Sequence, residues 1–148
     1  MSKNPDHWVV DASVAIKLFI REIYSPETLT FFERLTGENR SLFYVPDLFY
    51  AECANIFWKK VNHHGYPAID AKKGIETIKH IQLISVSSSD LMEQALEFAV
   101  RWDITAYDAC YLALAERLKV SLVTADEKLL KRAKGTHLRV ERIGNFKE

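Results

Sequence analysis

The sequence predicts an α/β/α sandwich with a mainly parallel central sheet. The first observation behind this is that short apolar runs alternate with segments of helical periodicity along the whole chain, an order that gives parallel strands joined by crossover helices. Right-handed crossovers then follow from the handedness rule. The second is bulk composition. At 148 residues, 48% hydrophobic and 27% charged, the chain has the size and make-up of one domain, residues 1–148, with a core of its own.

The elements follow in order. His7 to Asp11, with Trp8-Val9-Val10 at its heart, reads as the first strand, and Ser13 to Ile20 as a short helix. Ser25-Pro26-Glu27 reads as a helix start, with Ser25 as cap and Pro26 in the first turn; Leu29, Phe32 and Leu35 face inward and the helix stops near Gly37. Leu42 to Val45 is the second strand. Pro46-Asp47 opens a long helix through Val61, with Asp47 as cap, Leu48, Phe49, Ile56 and Phe57 as apolar positions, and Gly65 as the left-handed stop. Pro67 begins a helix to about His80, in which Gly74 costs ~1 kcal/mol relative to Ala.

Gln82 to Val86 is the third strand. Ser88-Ser89-Asp90 caps a helix whose stripe is Leu91, Ala95, Phe98, Ala99 and Trp102. Thr105 starts the next helix, to about Leu118. Val120 to Thr124 is the fourth strand, and Asp126 to Lys134 is a helix stopped by Gly135. Leu138 to Ile143 is an edge strand, its alternation of Leu138 and Val140 with Arg139 and Glu141 suiting one buried face.

Several function classes fall away. No apolar run approaches the ~20 residues of a membrane span, and the polar N-terminus, Met1 to His7, has no signal-peptide pattern, so a cytoplasmic protein is expected. Cys53 and Cys110 lie inside predicted helices, are not spaced as CxxC, and read as small buried apolar residues. His7, His63, His64, His80 and His137 fall beside no acidic motif, which argues against zinc. Formal net charge is zero, so affinity for nucleic acid has to come from a local patch and from bound metal.

Four acids stand out by position: Asp11, Glu52, Asp108 and Asp126. Three sit at the end of a strand or the start of a helix, and Glu52 lies inside the helix after the second strand. Ligands of open parallel sheets bind outside the carboxyl ends of the strands, so acids remote in sequence meet there. At ~5 Å and an effective dielectric of about 20, each pair of carboxylates repels by roughly 3 kcal/mol. A hard divalent cation, Mg²⁺ or Mn²⁺, relieves that repulsion. Taken singly, each acid also has a structural explanation. Thr105-x-x-Asp108 fits a capping box, Asp126 and Asp11 fit helix caps, and Glu52 fits a solvated face paired with Lys59 or Lys60. The joint pattern favours the metal site.

The same residues resemble a known family. Val9-Val10-Asp11-Ala12-Ser13, the helical Glu52-Cys53-Ala54-Asn55, the stretch Thr105-Ala106-Tyr107-Asp108-Ala109-Cys110-Tyr111-Leu112-Ala113-Leu114-Ala115, and Leu122-Val123-Thr124-Ala125-Asp126 resemble, in order, the motifs of the PIN-domain ribonucleases. From Trp8 to about Arg142 the chain is most similar to the VapC-type toxins of toxin–antitoxin pairs. The resemblance implies that Asp11, Glu52 and Asp108 are the central metal ligands and that Asp126 completes the cluster. It implies that Ser13 and Thr124 are auxiliary hydroxyls, and that Asn55, one turn after Glu52, steadies that carboxylate. It implies a Mg²⁺- or Mn²⁺-dependent endoribonuclease leaving 5′-phosphate and 3′-hydroxyl ends, with water activated by metal and carboxylate together. An antitoxin docking near the aromatic-rich helices Ser25–Gly37 and Asp47–Val61, and a homodimer, are implied in the same way.

Basic residues complete the expectations. Lys17 and Arg21, one helical turn apart, with Lys59-Lys60, Arg101, Lys128, Lys131 and Arg132, are candidates to position RNA phosphates; the bland reading is a solvated face. Tyr107 and Tyr111 read as packing residues, with base stacking as the functional option. Trp58, Phe49, Phe57 and Trp102 read mainly as core. Asp103 reads as a loop or cap acid rather than part of the site. A housekeeping RNA-processing nuclease and a non-catalytic binding module on the same scaffold are the alternatives. A receiver-type or haloacid-dehalogenase-like site fails because Ala12-Ser13 stand where a second acid is needed.

Overall fold

A computed structural model describes residues 6–147; most of the polar N-terminal stretch lies outside the described residues. Five strands form one parallel sheet: β1 (His7–Val10), β2 (Leu42–Pro46), β3 (Leu83–Val86), β4 (Ser121–Thr124) and β5 (Val140–Arg142), in the spatial order β3-β2-β1-β4-β5. The first connections step outward one way, from β1 to β2 to β3. The chain then crosses back over β1 to lay down β4 and β5. Neighbours β1 and β4 therefore diverge in connection, and the crevice between their carboxyl ends is the topological switch point of the sheet.

The helices are α1 (Ala12–Ala15), α2 (Ser25–Phe32), α3 (Leu48–His64), α4 (Ala68–His80), α5 (Met92–Trp102), α6 (Ala106–Leu118) and α7 (Glu127–Ala133). With right-handed crossovers, α1–α4 cover one face of the sheet and α5–α7 the other. Short 3₁₀ turns extend α1 and α2 and precede α5. Helix α6 is the most enclosed element. Ala109 through Ala115 are all buried against β1, β2, β4 and α5, which is why this segment reads as an almost continuous apolar run. Val9, Val10, Leu122 and Val123 are fully buried, as expected of central strands covered on both faces. No helix among the described residues is long and apolar enough to cross a membrane.

The sandwich and its element order agree with the sequence reading, while several local expectations are corrected. Ser25 is not the cap of α2: Tyr24 holds that position at φ 70°, its ring lying on Gly144, where a Cβ would come within 2.6 Å. Ser25 Oγ instead accepts from the Glu22 N–H at 3.0 Å and ties the preceding loop. Leu29 is 55% exposed, and Thr28 and Phe31 take the inward positions. Asp47 caps nothing with its side chain; its Oδ1 accepts from the Ser88 N–H at 3.1 Å while Ser88 Oγ accepts from the Leu48 N–H at 3.2 Å, lacing the end of β2 to the end of β3. Ser88 is thereby diverted from α5, which has no side-chain cap. Trp58 is 52% exposed rather than core. Gly74 has a packing reason: a Cβ there would stand 2.5 Å from Phe57 Cζ, so glycine is what lets α4 lie against α3.

Candidate active site

The β1 strand ends where Asp11 begins. The Asp11 N–H donates to Val123 O of β4 at 3.1 Å, so the chain leaves the sheet at the switch point. The Asp11 side chain is buried. Its Oδ2 accepts from Thr124 Oγ1 at 2.7 Å and from Ser13 Oγ at 2.8 Å. Those hydroxyls are fixed in turn, Ser13 Oγ by the Ala125 N–H at 3.1 Å and Thr124 Oγ1 by the Asp126 N–H at 3.1 Å. One carboxylate oxygen is thus clamped by β4 and α1, and no hydrogen bond among the described residues engages the other. Burial pushes the Asp11 carboxyl up from the usual range, the two hydroxyls pull it back, and the charge of Asp126 adds to the rise.

Glu52 lies in the second turn of α3, the helix that follows β2. It is half-buried, and its Oε1 is enclosed without a hydrogen-bond partner. Its carboxyl is pushed up to about 7, first by burial and then by the charges of Asp11 and Asp108. Tyr111, fully buried on α6 one turn after Asp108, stands close enough to favour the ionised form of Glu52. No bond of acceptable geometry closes between them, however, and Tyr111 Oη is also buried without a partner. From sequence this tyrosine reads as a packing residue, with base stacking as the functional option, and not as a neighbour of Glu52. Its three-residue spacing from Asp108, on the same helix face, was the signal that it belongs at the site.

Asp108 occupies the first turn of α6. Its N–H donates to Thr105 Oγ1 at 3.1 Å, which is half of a capping box; its carboxylate accepts no bond from the Thr105 N–H in return. Burial first, and then the charges of Asp11 and Asp126, lift the Asp108 carboxyl to about 6 against the opposing pull of Thr105 and Lys128. Asp126 does cap α7: its Oδ1 accepts from the Lys128 N–H at 2.9 Å and the Leu129 N–H at 3.3 Å. The cap engages one oxygen and leaves Oδ2 without a bond among the described residues.

The four carboxylates therefore meet at one end of the sheet and act on one another through their charges. Among the described residues, no three His, Cys, Asp or Glu side chains are drawn tightly enough together to hold an ion as they stand. The acids are neighbours rather than an assembled ligand shell. Their chemistry fits a hard divalent cation nonetheless. The donors are all carboxylate oxygens, and Glu52 Oε1 is buried with nothing to bond. Cys53, beside Glu52, is a buried thiol whose pKa burial drives upward, so it offers no soft thiolate.

The sequence pattern that defines the PIN domain matches residues 8–135. The chain belongs to the PIN-domain family. Ribonuclease VapC3 of Pyrobaculum aerophilum is 30% identical over 123 residues, which are 82% of this chain and 90% of that protein, and the family is accordingly that of the VapC-type ribonucleases. Among solved structures, this PIN domain is similar to the PAE2754 protein of Pyrobaculum aerophilum, with a TM-score of 0.69 at 21% identity over 98% of this chain and 94% of that one. It is also similar to a toxin–antitoxin complex from Klebsiella pneumoniae, with a TM-score of 0.61 at 14% identity over 91% and 96% of the two chains. Both structural likenesses speak to the fold.

The remaining sequence candidates of the PIN domain divide. Ser13 and Thr124 make the bonds to Asp11 described above. Asn55 is exposed and makes no hydrogen bond to Glu52. Lys17 is not available to a ligand: it is buried, donates to Glu22 Oε1 at 2.9 Å, and Glu22 also pairs with Lys60 at 3.5 Å. Arg21 and Lys59 are exposed at positions away from the carboxylates' hydrogen-bond network, while Lys128 is exposed beside Asp126 and Asp108. Tyr107 is 64% exposed, which corrects its reading as a packing residue. Asp103 is a cap acid in the left-handed region, at φ 52°, paired with Arg132 at 3.6 Å.

Proposed function

We propose that this PIN domain is a Mg²⁺- or Mn²⁺-dependent endoribonuclease, the toxin of a toxin–antitoxin pair, with Asp11, Glu52, Asp108 and Asp126 as its metal-holding and catalytic carboxylates. The observation that carries the reading is the clamp on Asp11. A buried carboxylate with one oxygen held by two fixed hydroxyls presents its other oxygen in a set direction without rearrangement. When bound, a divalent cation supplies neutralisation of the charge that develops on the phosphate and lowers the pKa of water.

The protein residues do the rest. Ser13 and Thr124 hold Asp11 in orientation. Glu52, approaching from α3, and Asp108, from α6, close the site from both helical layers. Asp126 keeps its carboxylate at the rim because α7 anchors one of its oxygens. Hydrolysis adds water across the P–O3′ bond and leaves a 5′-phosphate and a 3′-hydroxyl. No histidine is needed as a base, in keeping with the absence of any His beside the four motifs. Partnership with an antitoxin is supported by the likeness to a protein solved in a toxin–antitoxin complex, and we include a homodimer in the proposal.

The test is cleavage of RNA by the purified protein, free of any partner, in Mg²⁺ or Mn²⁺ and in EDTA, beside Asp108→Asn. Cleavage that needs the cation and vanishes in the folded variant supports the reading. Cleavage that persists undiminished in Asp108→Asn, or in EDTA, refutes the carboxylate mechanism.

A further inference from the structure

Beside the carboxylates lies a cleft of about 540 Å³ between the C-terminal end of α5 and the outer side of α7, lined by Arg101, Trp102, Asp103, Lys128, Lys131 and Arg132. Four of these six side chains are basic and one is acidic, in a chain with no net charge. An ordinary solvated helix face interleaves cations with acids, and here the acid is turned away. Glu127, the acid of α7, is engaged elsewhere in a two-bond pair with Arg142 at 2.8 and 2.7 Å. The cleft face of α7 is left with Lys128 and Lys131, three residues apart, which make no ion pair among the described residues.

The other two cations are held in place. Arg101 lies over the Trp102 ring at 5.4 Å and is paired with Glu97 at 2.8 Å, so its guanidinium is set against the wall of the cleft. Arg132 is held at 3.6 Å by Asp103, whose side chain is 94% exposed. The cleft also abuts the site directly: the Lys128 N–H that donates to Asp126 Oδ1, at 2.9 Å, belongs to a residue that lines the cleft.

We propose that this cleft is the track for single-stranded RNA on one side of the scissile bond, with successive phosphodiesters passing Lys128, Lys131 and Arg132 toward Arg101. The assignment rests on the reading of the four acids as a ribonuclease centre. Contacts of this kind fix the register of the strand across the carboxylates and carry no sequence information of their own. Asp103 acts as a stand-in anion: it occupies Arg132 until a phosphate displaces it.

Binding of a fluorescently labelled single-stranded RNA of about 12 nucleotides, followed by anisotropy in EDTA across a salt series, tests this without any cleavage. For the Lys128→Ala/Lys131→Ala protein the slope of log affinity against log salt should shrink by about 1.4, two phosphates at ~0.7 each. The charge-matched Lys72→Ala/Lys73→Ala protein, altered on exposed positions of α4 outside the cleft, should keep the original slope. Asp103→Asn, a residue type that tolerates the left-handed backbone, should tighten binding. An unchanged slope in the cleft variant, an equal loss in the α4 variant, or no RNA binding by the unaltered protein at low salt overturns the proposal. Failures of the two readings separate. A protein that cleaves RNA yet keeps its slope in the cleft variant loses the track and retains the nuclease. A protein that binds through the cleft but never cleaves with cation present retains the track and loses the nuclease.

Discussion

Raising the pH over the metal-free protein should destabilise it through the carboxylates of the site. Glu52 titrates at about 7 in the folded chain against 4.5 in its ordinary state, and Asp108 at about 6 against 3.8. Both hold their protons more tightly when folded. Between those limits the folded state carries more protons than the unfolded one, so stability falls as pH rises, and the loss is complete once pH has passed about 7. From pH 5 to 8, Glu52 forfeits its advantage over roughly two pH units and Asp108 over roughly one, which at ~1.4 kcal/mol per unit comes to about 4 kcal/mol. Both groups are partly solvated and share one field, which halves this to about 2 kcal/mol. In a chain of this length that is a fall in Tm of about 4–8 °C. Thermal unfolding by circular dichroism, in EDTA at pH 5 and 8, should show this excess loss in the wild type over Glu52→Gln/Asp108→Asn, in which neither position ionises. Saturating Mn²⁺ at pH 8 should restore the wild type and leave the double variant where it was. Parallel pH curves for the two proteins would refute the reasoning, since the strain would then not reside in these carboxylates.

Three further outcomes follow from local geometry. Thr124→Val leaves the Asp126 N–H without its acceptor and Asp11 Oδ2 with one donor in place of two, and should lower the denaturant midpoint by the equivalent of ~1–3 kcal/mol; an unshifted midpoint would mean that the clamp contributes nothing to folding. Gly74→Ala gains ~1 kcal/mol of helix propensity but drives a Cβ to 2.5 Å from Phe57 Cζ, and overpacking at ~1–3 kcal/mol should make the variant less stable on balance. A higher Tm for Gly74→Ala would show that α3 and α4 have room to spare. Tyr111→Phe removes a buried hydroxyl that has no partner, so the metal-free protein should be unchanged or slightly more stable, and a loss above ~1 kcal/mol would reveal a bond that the hydroxyl makes.

What the sequence made legible depended on how local each signal is. The central strands were readable because burial on both faces makes them unbroken apolar runs, as at Val9-Val10 and Leu122-Val123. The start of α6 was readable because Thr105 bonds a backbone group only three residues away. Asp126 announced its cap for the same reason. Several misreadings involve partners that the local sequence does not announce. Ser88 looked like a helix cap until β3 brought it beside Leu48, forty residues earlier, and Asp47 lost its cap role to the same junction. Lys17 looked like a free cation because nothing in its own helix foretells Glu22 folding back onto it. Tyr24 adopts a backbone conformation usually left to glycine, and the ring contact with Gly144 that accompanies it comes from the far end of the chain. Motif order singled out the four acids that the fold brings to one end of the sheet. Which oxygens are clamped and which are left open required the three-dimensional arrangement.

The switch point between β1 and β4 also sets when a competent site can come into being. Asp11 is translated well before the rest of the site: the hydroxyl that clamps it belongs to Thr124, 113 positions later, and the strand that receives its N–H is β4. A growing chain that has made β1, β2 and β3 can pair those strands in order, but it contains neither that clamp nor the carboxylate of Asp126. The seam at the middle of the sheet cannot close until β4 is made, since β4 docks against a strand made more than a hundred residues before. For the ribonuclease proposed above, this order of assembly is a safety catch: a chain that stops short of β4 lacks both the Thr124 clamp on Asp11 and the Asp126 carboxylate.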